Sequence, residues 1–343
     1  MPKTIPIVSV KSVDGWLISW QQQLAQAITE PDKLIEMLQL KPQDFTDTAT
    51  ACGQFNIKVT HAYLNKMQMG NPRDPLLLQV MAQSQEMLAV EGYGDDPVGD
   101  LQANKTPGLL HKYAGRVLLI TTGACAVHCR YCFRRHYPYQ QQQAGRENWG
   151  QALDYIRQDT SINEVILSGG DPLVLSDEKL GGLIDQLERV SHVSRLRIHS
   201  RLPVVLPARI TETLLNRLAQ SRFNVCLVIH ANHANEIGAE EINALGKLKR
   251  AGVHLLNQAV LLEGINQRIE DQVDLSEALY AAGVLPYYLH LLDAVQGAAH
   301  FDVNLSMALN LISQMRSRLP GFLVPRLVRE ITGEMSKTPA NEL

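Results

Sequence analysis

The chain has 343 residues, 45% of them hydrophobic and 20% charged, a balance that can bury a large core and that excludes disorder or collagen-like repeats for most of its length. Lys and Arg number 32 against 35 Asp and Glu, for a formal net charge of −3, so the basic excess that a nucleic-acid-binding field needs is missing. The N-terminal stretch lacks the charged start, apolar run and small-residue cleavage site of a leader, and no apolar run reaches about 18 residues, so a cytoplasmic protein without a transmembrane helix is expected.

Residues 1–110 read as a mostly helical N-terminal segment. Trp16–Ile28, Asp32–Leu40 and Asp74–Leu88 place apolar residues at spacings of three and four. The linkers between them carry turn formers, as in Gly70-Asn71-Pro72 and Gly94-Asp95-Asp96-Pro97. In residues 111–320 the texture becomes a regular alternation. Short runs of β-branched, leucine or tyrosine residues occur at RVLLITTG, EVILSGG, RLRIHS, NVCLVIHA, HLLNQAVLL and LPYYLHLLD, with helix-like segments such as NWGQALDYIRQ and EKLGGLIDQLERV between them. Strands alternating with helices at this pace predict βα units and parallel pairing. Six units are too few for an eightfold barrel and suit a partial one, with a doubly wound sheet as the alternative. Gln140 to Gln143 reads as a polar loop, and residues 321–343 form a short C-terminal segment.

In either α/β arrangement, functional residues are expected after the C-terminal ends of strands. Three of the five cysteines lie there, in TTGACAVHCRYCFRRHY directly after the first predicted strand. Their spacing is C-x3-C-x2-C. Three thiolates on one short loop can hold three irons of a cubane cluster and leave the fourth open to a chelating cosubstrate. A zinc site completed by His128 or His136 is the other reading, although no second Cys or His pair supplies the usual partner set. Ser168-Gly169-Gly170-Asp171 and Asp293 also follow predicted strands.

This loop, with Tyr131 before its last cysteine, resembles the signature of the radical S-adenosylmethionine enzymes. The resemblance implies an α/β fold, a partial (β/α)6 radical-SAM barrel. It also implies a 4Fe–4S cluster on Cys125, Cys129 and Cys132, and S-adenosylmethionine bound at the open iron as the source of a 5′-deoxyadenosyl radical. Ser168, Gly169, Gly170 and Asp171 would form the turn at the methionine amino group. From about Thr106 to Pro339 the chain resembles the lysine 2,3-aminomutases, through TPGLLHKYAGRVLLITTGACAVHCRYCFRRHY, ILSGGDPLVLSD, HANHANEI, LLNQAVLLEGIN and PYYLHLLDAVQGAAHF.

That resemblance implies an isomerase acting on L-lysine with pyridoxal 5′-phosphate held on Lys337. Arg116 would bind the cofactor phosphate, and His230 and Gln258 would lie around S-adenosylmethionine. Arg134 would meet the substrate carboxylate, and Asp293 and Glu330 the far ammonium, with Tyr113 and Tyr288 as further pocket residues. The chain departs from the pattern in three places. Glu330 stands for an aspartate, Lys112 for a common arginine, and Thr332-Gly333-Glu334-Met335-Ser336 for a glycine-rich approach to Lys337. The compact C-terminus resembles the branch that supplies (R)-β-lysine for elongation factor P, which implies an indirect link to that factor and its lysyl-transferring enzyme. Another radical aminomutase, acting on glutamate, or a metal-stabilised binding protein are the alternatives.

Overall fold

The structure, a computed structural model, describes residues 18–45, 47–142 and 149–343. The N-terminal stretch read for leader features, Trp16 and Leu17 of the first expected helix, and Gln143 of the glutamine tract lie outside the described residues. Residues Tyr139–Gln142 form one helical turn rather than a loop.

One sheet organises the chain. Its strands are β1 Asn104–Thr106, β2 Leu109–Tyr113, β3 Arg116–Thr122, β4 Glu164–Gly169, β5 Arg195–Ser200, β6 Asn224–His230, β7 His254–Val260, β8 Leu285–His290, β9 Arg326–Arg329 and β10 Thr338–Pro339. The strands lie side by side in chain order. From β3 to β9 every pairing is parallel. Antiparallel β1 and β2 add to one edge and β10 to the other. A doubly wound sheet needs a point where strand order reverses, and none occurs here. The architecture is a partial β/α barrel-like mixed sheet with helical flanks. The six expected strands are β3 to β8, while the β1–β2 hairpin, β9 and β10 extend the sheet across residues 110 and 320.

Side-chain alternation explains how the sheet curls around a site. In β5, Leu196 and Ile198 are fully buried on the outer face, whereas Arg197 and His199 point to the interior cavity. Likewise His230 of β6 and Gln258 of β7 face inward while Ile229 and Asn257 are buried beneath the outer layer. Helices Gly150–Gln158, Asp177–Glu188, Glu212–Ala219, Ala239–Arg250, Ile269–Ala281 and Leu305–Arg318 supply that layer. Ser176 and Thr211 cap two of them through side-chain oxygens. Gly252 and Gly283, both at positive φ, end two others, where a side chain would strain the backbone.

The N-terminal segment departs from expectation. Helices form at Trp20–Ala25 and Pro31–Met37, but Asp74–Leu88 is a run of turns closed by a 3₁₀ helix at Ser84–Met87. The cause is tertiary: the Gln79 carbonyl accepts from the Arg130 backbone N–H at 2.9 Å, so it is drawn out of a helical ladder. Apolar residues of this segment, among them Leu76, Leu77, Val80 and Met81, are buried in the same core as the barrel. Among the described residues no helix is long and apolar enough to cross a membrane.

Candidate active site

The loop after β3 carries the cysteines and is gripped from two sides. On the barrel side, the Gly170 N–H donates to Thr122 O at 2.7 Å and the Asp171 N–H to Ala124 O at 2.8 Å. A Cβ on Gly170 would lie 2.3 Å from Ala124 O, and Gly169 sits at φ +116°, so this close approach requires both glycines. On the other side, the N-terminal segment closes over the loop. Lys58 Nζ donates to Cys125 O at 2.9 Å, and the fully buried Arg130 forks onto Glu86 at 2.8 and 2.6 Å. Arg135 joins Glu86 at 2.8 Å.

Cys125, Cys129 and Cys132 are free thiols. Burial pushes the Cys132 thiol up to about 11, with Cys129 adding to the effect, so a bound metal must displace protons here. Among the described residues no three His, Cys, Asp or Glu side chains converge on one metal-ion position. A cubane does not need such convergence, because each thiolate takes a different iron. A single zinc ion does need it, and the zinc reading completed by His128 or His136 finds no such set among the described residues. The donor set therefore fits an iron–sulfur cluster.

Beneath the loop lies a residue that the sequence does not announce. The buried Arg201 guanidinium donates to Cys129 Sγ at 2.6 Å, Tyr131 OH at 2.7 Å, Gln79 Oε1 at 2.6 Å, Tyr63 OH at 3.1 Å and Glu236 Oε2 at 3.0 Å. Asp171 holds the start of this segment: its carboxylate accepts from Ser200 Oγ at 2.7 Å and from the Arg201 and Leu202 N–H groups at 2.8 and 3.2 Å. Its oxygens thus serve the protein's own backbone and the Ser200 hydroxyl.

A cavity of about 500 Å³ opens below the cysteines; Arg116, Arg134, the Ser168–Asp171 turn, His230, Gln258, Asp293, Glu330 and Lys337 line it with them, whereas His136 and residues 332–335 do not. Several of the residues lining it carry a buried polar atom without a hydrogen-bond partner, among them Arg116 Nε, His199 Nε2, His230 Nε2 and Asp293 Oδ1. Unpaired buried polar atoms are costly, and their concentration on one wall marks a space shaped for a polar ligand. Register sets His230, Gln258 and Tyr288 side by side across β6, β7 and β8. Burial pushes His230 down to about 3, helped by Arg201, and also lowers His199 and His290, so all three imidazoles are neutral.

At the open seam of the barrel, charges of alternating sign form a row. Arg134 Nε donates to Asp100 Oδ2 at 2.7 Å, and its Nη1 donates to Ser168 Oγ at 3.2 Å. Lys112 Nζ lies 2.6 Å from Asp100 Oδ1 and 2.8 Å from Glu330 Oε1. Glu330 Oε2 meets Lys337 Nζ at 2.5 Å. Burial alone would raise the Glu330 carboxyl, but Lys337 and Lys112 together hold it down to about 2. Asp293 is enclosed by protein yet keeps part of its side chain open to the cavity. Burial pushes it up to about 7 despite Lys337. Asp100, Arg197, His199, Arg201 and His290 are site residues with no motif to reveal them; only the inward phase of β5 and β8 could have pointed to Arg197, His199 and His290.

Comparison with known proteins agrees with this geometry. The Radical SAM superfamily profile matches residues 119–275. The chain is 47% identical over 321 residues to the L-lysine 2,3-aminomutase of Escherichia coli (strain K12), covering 93% of this chain and 94% of that protein. It is 45% identical to that of Haemophilus influenzae, over 93% and 95% of the two chains, and 35% identical to that of Clostridium subterminale, over 93% and 77%. With the three-cysteine loop at the mouth of a partial β/α barrel and identity of this extent, the chain is a radical-SAM isomerase and belongs to the L-lysine 2,3-aminomutase family.

Proposed function

We propose that the protein converts L-α-lysine to β-lysine, with a 4Fe–4S cluster on Cys125, Cys129 and Cys132, S-adenosylmethionine at that cluster, and pyridoxal 5′-phosphate on Lys337. The observation that carries this reading is the placement of Lys337, Glu330 and the unpartnered Asp293 Oδ1 in one cavity with the cysteine loop. When bound, the cluster and S-adenosylmethionine supply a carbon radical that removes a substrate hydrogen, and pyridoxal phosphate supplies the carbon–nitrogen double bond across which nitrogen can move.

The chain's own residues bind and orient. Lys337 must leave its ion pair with Glu330 to hold the cofactor, and Arg116, with its free Nε, offers a planar donor edge to a phosphate. Arg134, oriented by Asp100 and Ser168, would face the substrate carboxylate. Asp293 Oδ1 would accept the substrate's terminal ammonium, joined by Glu330 Oε2 once Lys337 is engaged elsewhere. The neutral His199, His230 and His290 add no positive charge to repel that ammonium. His230, Gln258 and the Ser168–Asp171 turn border the S-adenosylmethionine position. A glutamate side chain would bring a third negative charge against Asp293 and Glu330, so the geometry favours lysine. In this reading residues 1–110 clamp the cluster loop, 111–320 form the barrel, and 321–343 deliver Lys337.

The test is anaerobic reconstitution with iron, sulfide and pyridoxal phosphate, then reductant, S-adenosylmethionine and L-lysine, with chiral mass spectrometry of the product. β-Lysine should form in the wild type and be lost in Cys129→Ala and Lys337→Ala. A reducible cluster and bound pyridoxal with no β-lysine would remove free lysine as the substrate. We infer further, on the sequence resemblance alone, that the product is (R)-β-lysine destined in the cytoplasm for elongation factor P. Deleting the gene should lower the mass of that factor, and an unchanged mass would sink the assignment.

A further inference from the structure

The partial barrel leaves a seam, because β2 and β9 stand near opposite ends of the sheet order and share no backbone pairing. Lys112 of β2 spans it. Its ammonium donates to Val98 O and to Glu330 Oε1, just beyond β9, each at 2.8 Å, and pairs with the Asp100 carboxylate at 2.6 Å without a hydrogen bond. Asp100 is 2% exposed and carries Arg134, whereas Glu330 carries Lys337. One side chain therefore ties together the two ends of the row.

We propose that Lys112 is a positioning residue that latches the seam and fixes the separation between Arg134 and Glu330, selecting a substrate charged at both ends, an α-amino acid with a second, terminal cation. The selection rests on the proposed reading of Arg134 and Glu330 as the two poles of the substrate site; the latch itself does not. Two hydrogen bonds and an ion pair, all at 2.6–2.8 Å, hold the Lys112 ammonium between the two elements against a shorter or longer substrate, so the poles keep one spacing. Arginine can span the same acceptors with its fork, whereas methionine keeps the stem and loses the charge.

Two measurements test it. The first follows acetylation of Lys337 by acetic anhydride, quantified by mass spectrometry on the full chain. D100N should speed it about threefold or more, because Lys112 then turns wholly to Glu330 and loosens its hold on Lys337. That transmitted effect should vanish in the K112M background and return with K112R. An effect of D100N that is the same with and without the Lys112 ammonium, or absent in the wild type, overturns the latch. The second compares steady-state constants for L-lysine in the reconstituted enzyme. K112M should raise KM roughly tenfold, equivalent to about 1.4 kcal/mol, with kcat within about threefold, and K112R should recover most of the loss. A fall in kcat at unchanged KM overturns the selective role. A wild type that leaves lysine untouched would defeat the proposed function, while the acetylation series would still decide the latch.

Discussion

Replacing Arg201 by methionine is expected to strip the protein of most of its iron and to lower its stability by several kcal/mol. The guanidinium serves five acceptors at once, one of them Cys129 Sγ and another the fully buried Glu236. Removing one partner of a buried ion pair costs about 3–5 kcal/mol because the remaining charge is stranded. Glu236 keeps hydrogen bonds from the Asn232 N–H at 2.8 Å and from Gln79 Nε2 at 3.1 Å, which places the loss toward the lower end. Arg201→Lys keeps the charge but not the fork, and it should recover only part of the loss.

The pH dependence has a definite sign. Burial alone would raise the Glu236 carboxyl, but Arg201 holds it below its ordinary 4.5. An acid depressed in the folded state contributes stability that is present above its unfolded value and lost as pH falls. The stability gap between wild type and R201M should therefore be full at pH 7 and shrink in acid. Chemical denaturation of the metal-free chains at several pH values, with iron per chain after reconstitution, checks both parts. An R201M protein with wild-type iron content and an unchanged denaturation midpoint would remove Arg201 from any role in holding the loop.

The contrast between Arg201 and the cysteines shows what a sequence can disclose. Cys125, Cys129 and Cys132 are legible because their chemistry is local: three ligands on one loop, spaced for one cluster. Arg201 and Lys112 act through partners far along the chain, Lys112 and Glu330 being 218 residues apart, and no spacing rule reaches that distance. The same holds for the fold. Strands β3 to β8 announce themselves as runs of six or seven residues carrying β-branched, leucine or tyrosine side chains. The remaining strands are short, and β2 carries His111 and Lys112, so they lack a hydrophobic rhythm. The polar phase of β5, with Arg197 and His199, resembles a water-facing edge in sequence. It is the cavity wall, because a barrel turns one face of its strands inward on a site. Asp74–Leu88 misleads in the opposite direction: its helical period records burial, while its backbone is bent by the contact to Arg130.

Asp293→Asn is expected to stabilise the folded chain at pH 8 while weakening its hold on L-lysine. In the wild type, burial and then Glu330 push the carboxyl up to about 7, against a pull from Lys337, where the ordinary value is 3.8. The folded chain therefore keeps a proton that the unfolded chain releases, and the Asp293 contribution to stability falls as pH rises from about 4 through 7. Above that range a carboxylate with one unpartnered oxygen sits in the cavity. Asparagine has the same shape without the charge, so at pH 8 the variant should gain on the order of 2–4 kcal/mol, reduced by the cost of an unpaired amide, and in acid it should gain nothing. A charge-assisted bond to an arriving ammonium contributes about 1.5–3 kcal/mol. Its loss should raise KM for L-lysine roughly 10- to 100-fold. The pH profile separates this from simple damage. Wild-type KM should fall as Asp293 ionises, at or above about pH 7 because Lys337 no longer pulls the carboxyl down once it carries the cofactor, whereas D293N should lack that limb. Glu330 keeps its Lys112 partner when Lys337 carries the cofactor, stays charged over this range and contributes no limb of its own. Denaturation curves from pH 4 to 8 that run parallel for the two proteins would show that the carboxyl is not strained. An unchanged KM would show that the ammonium binds elsewhere.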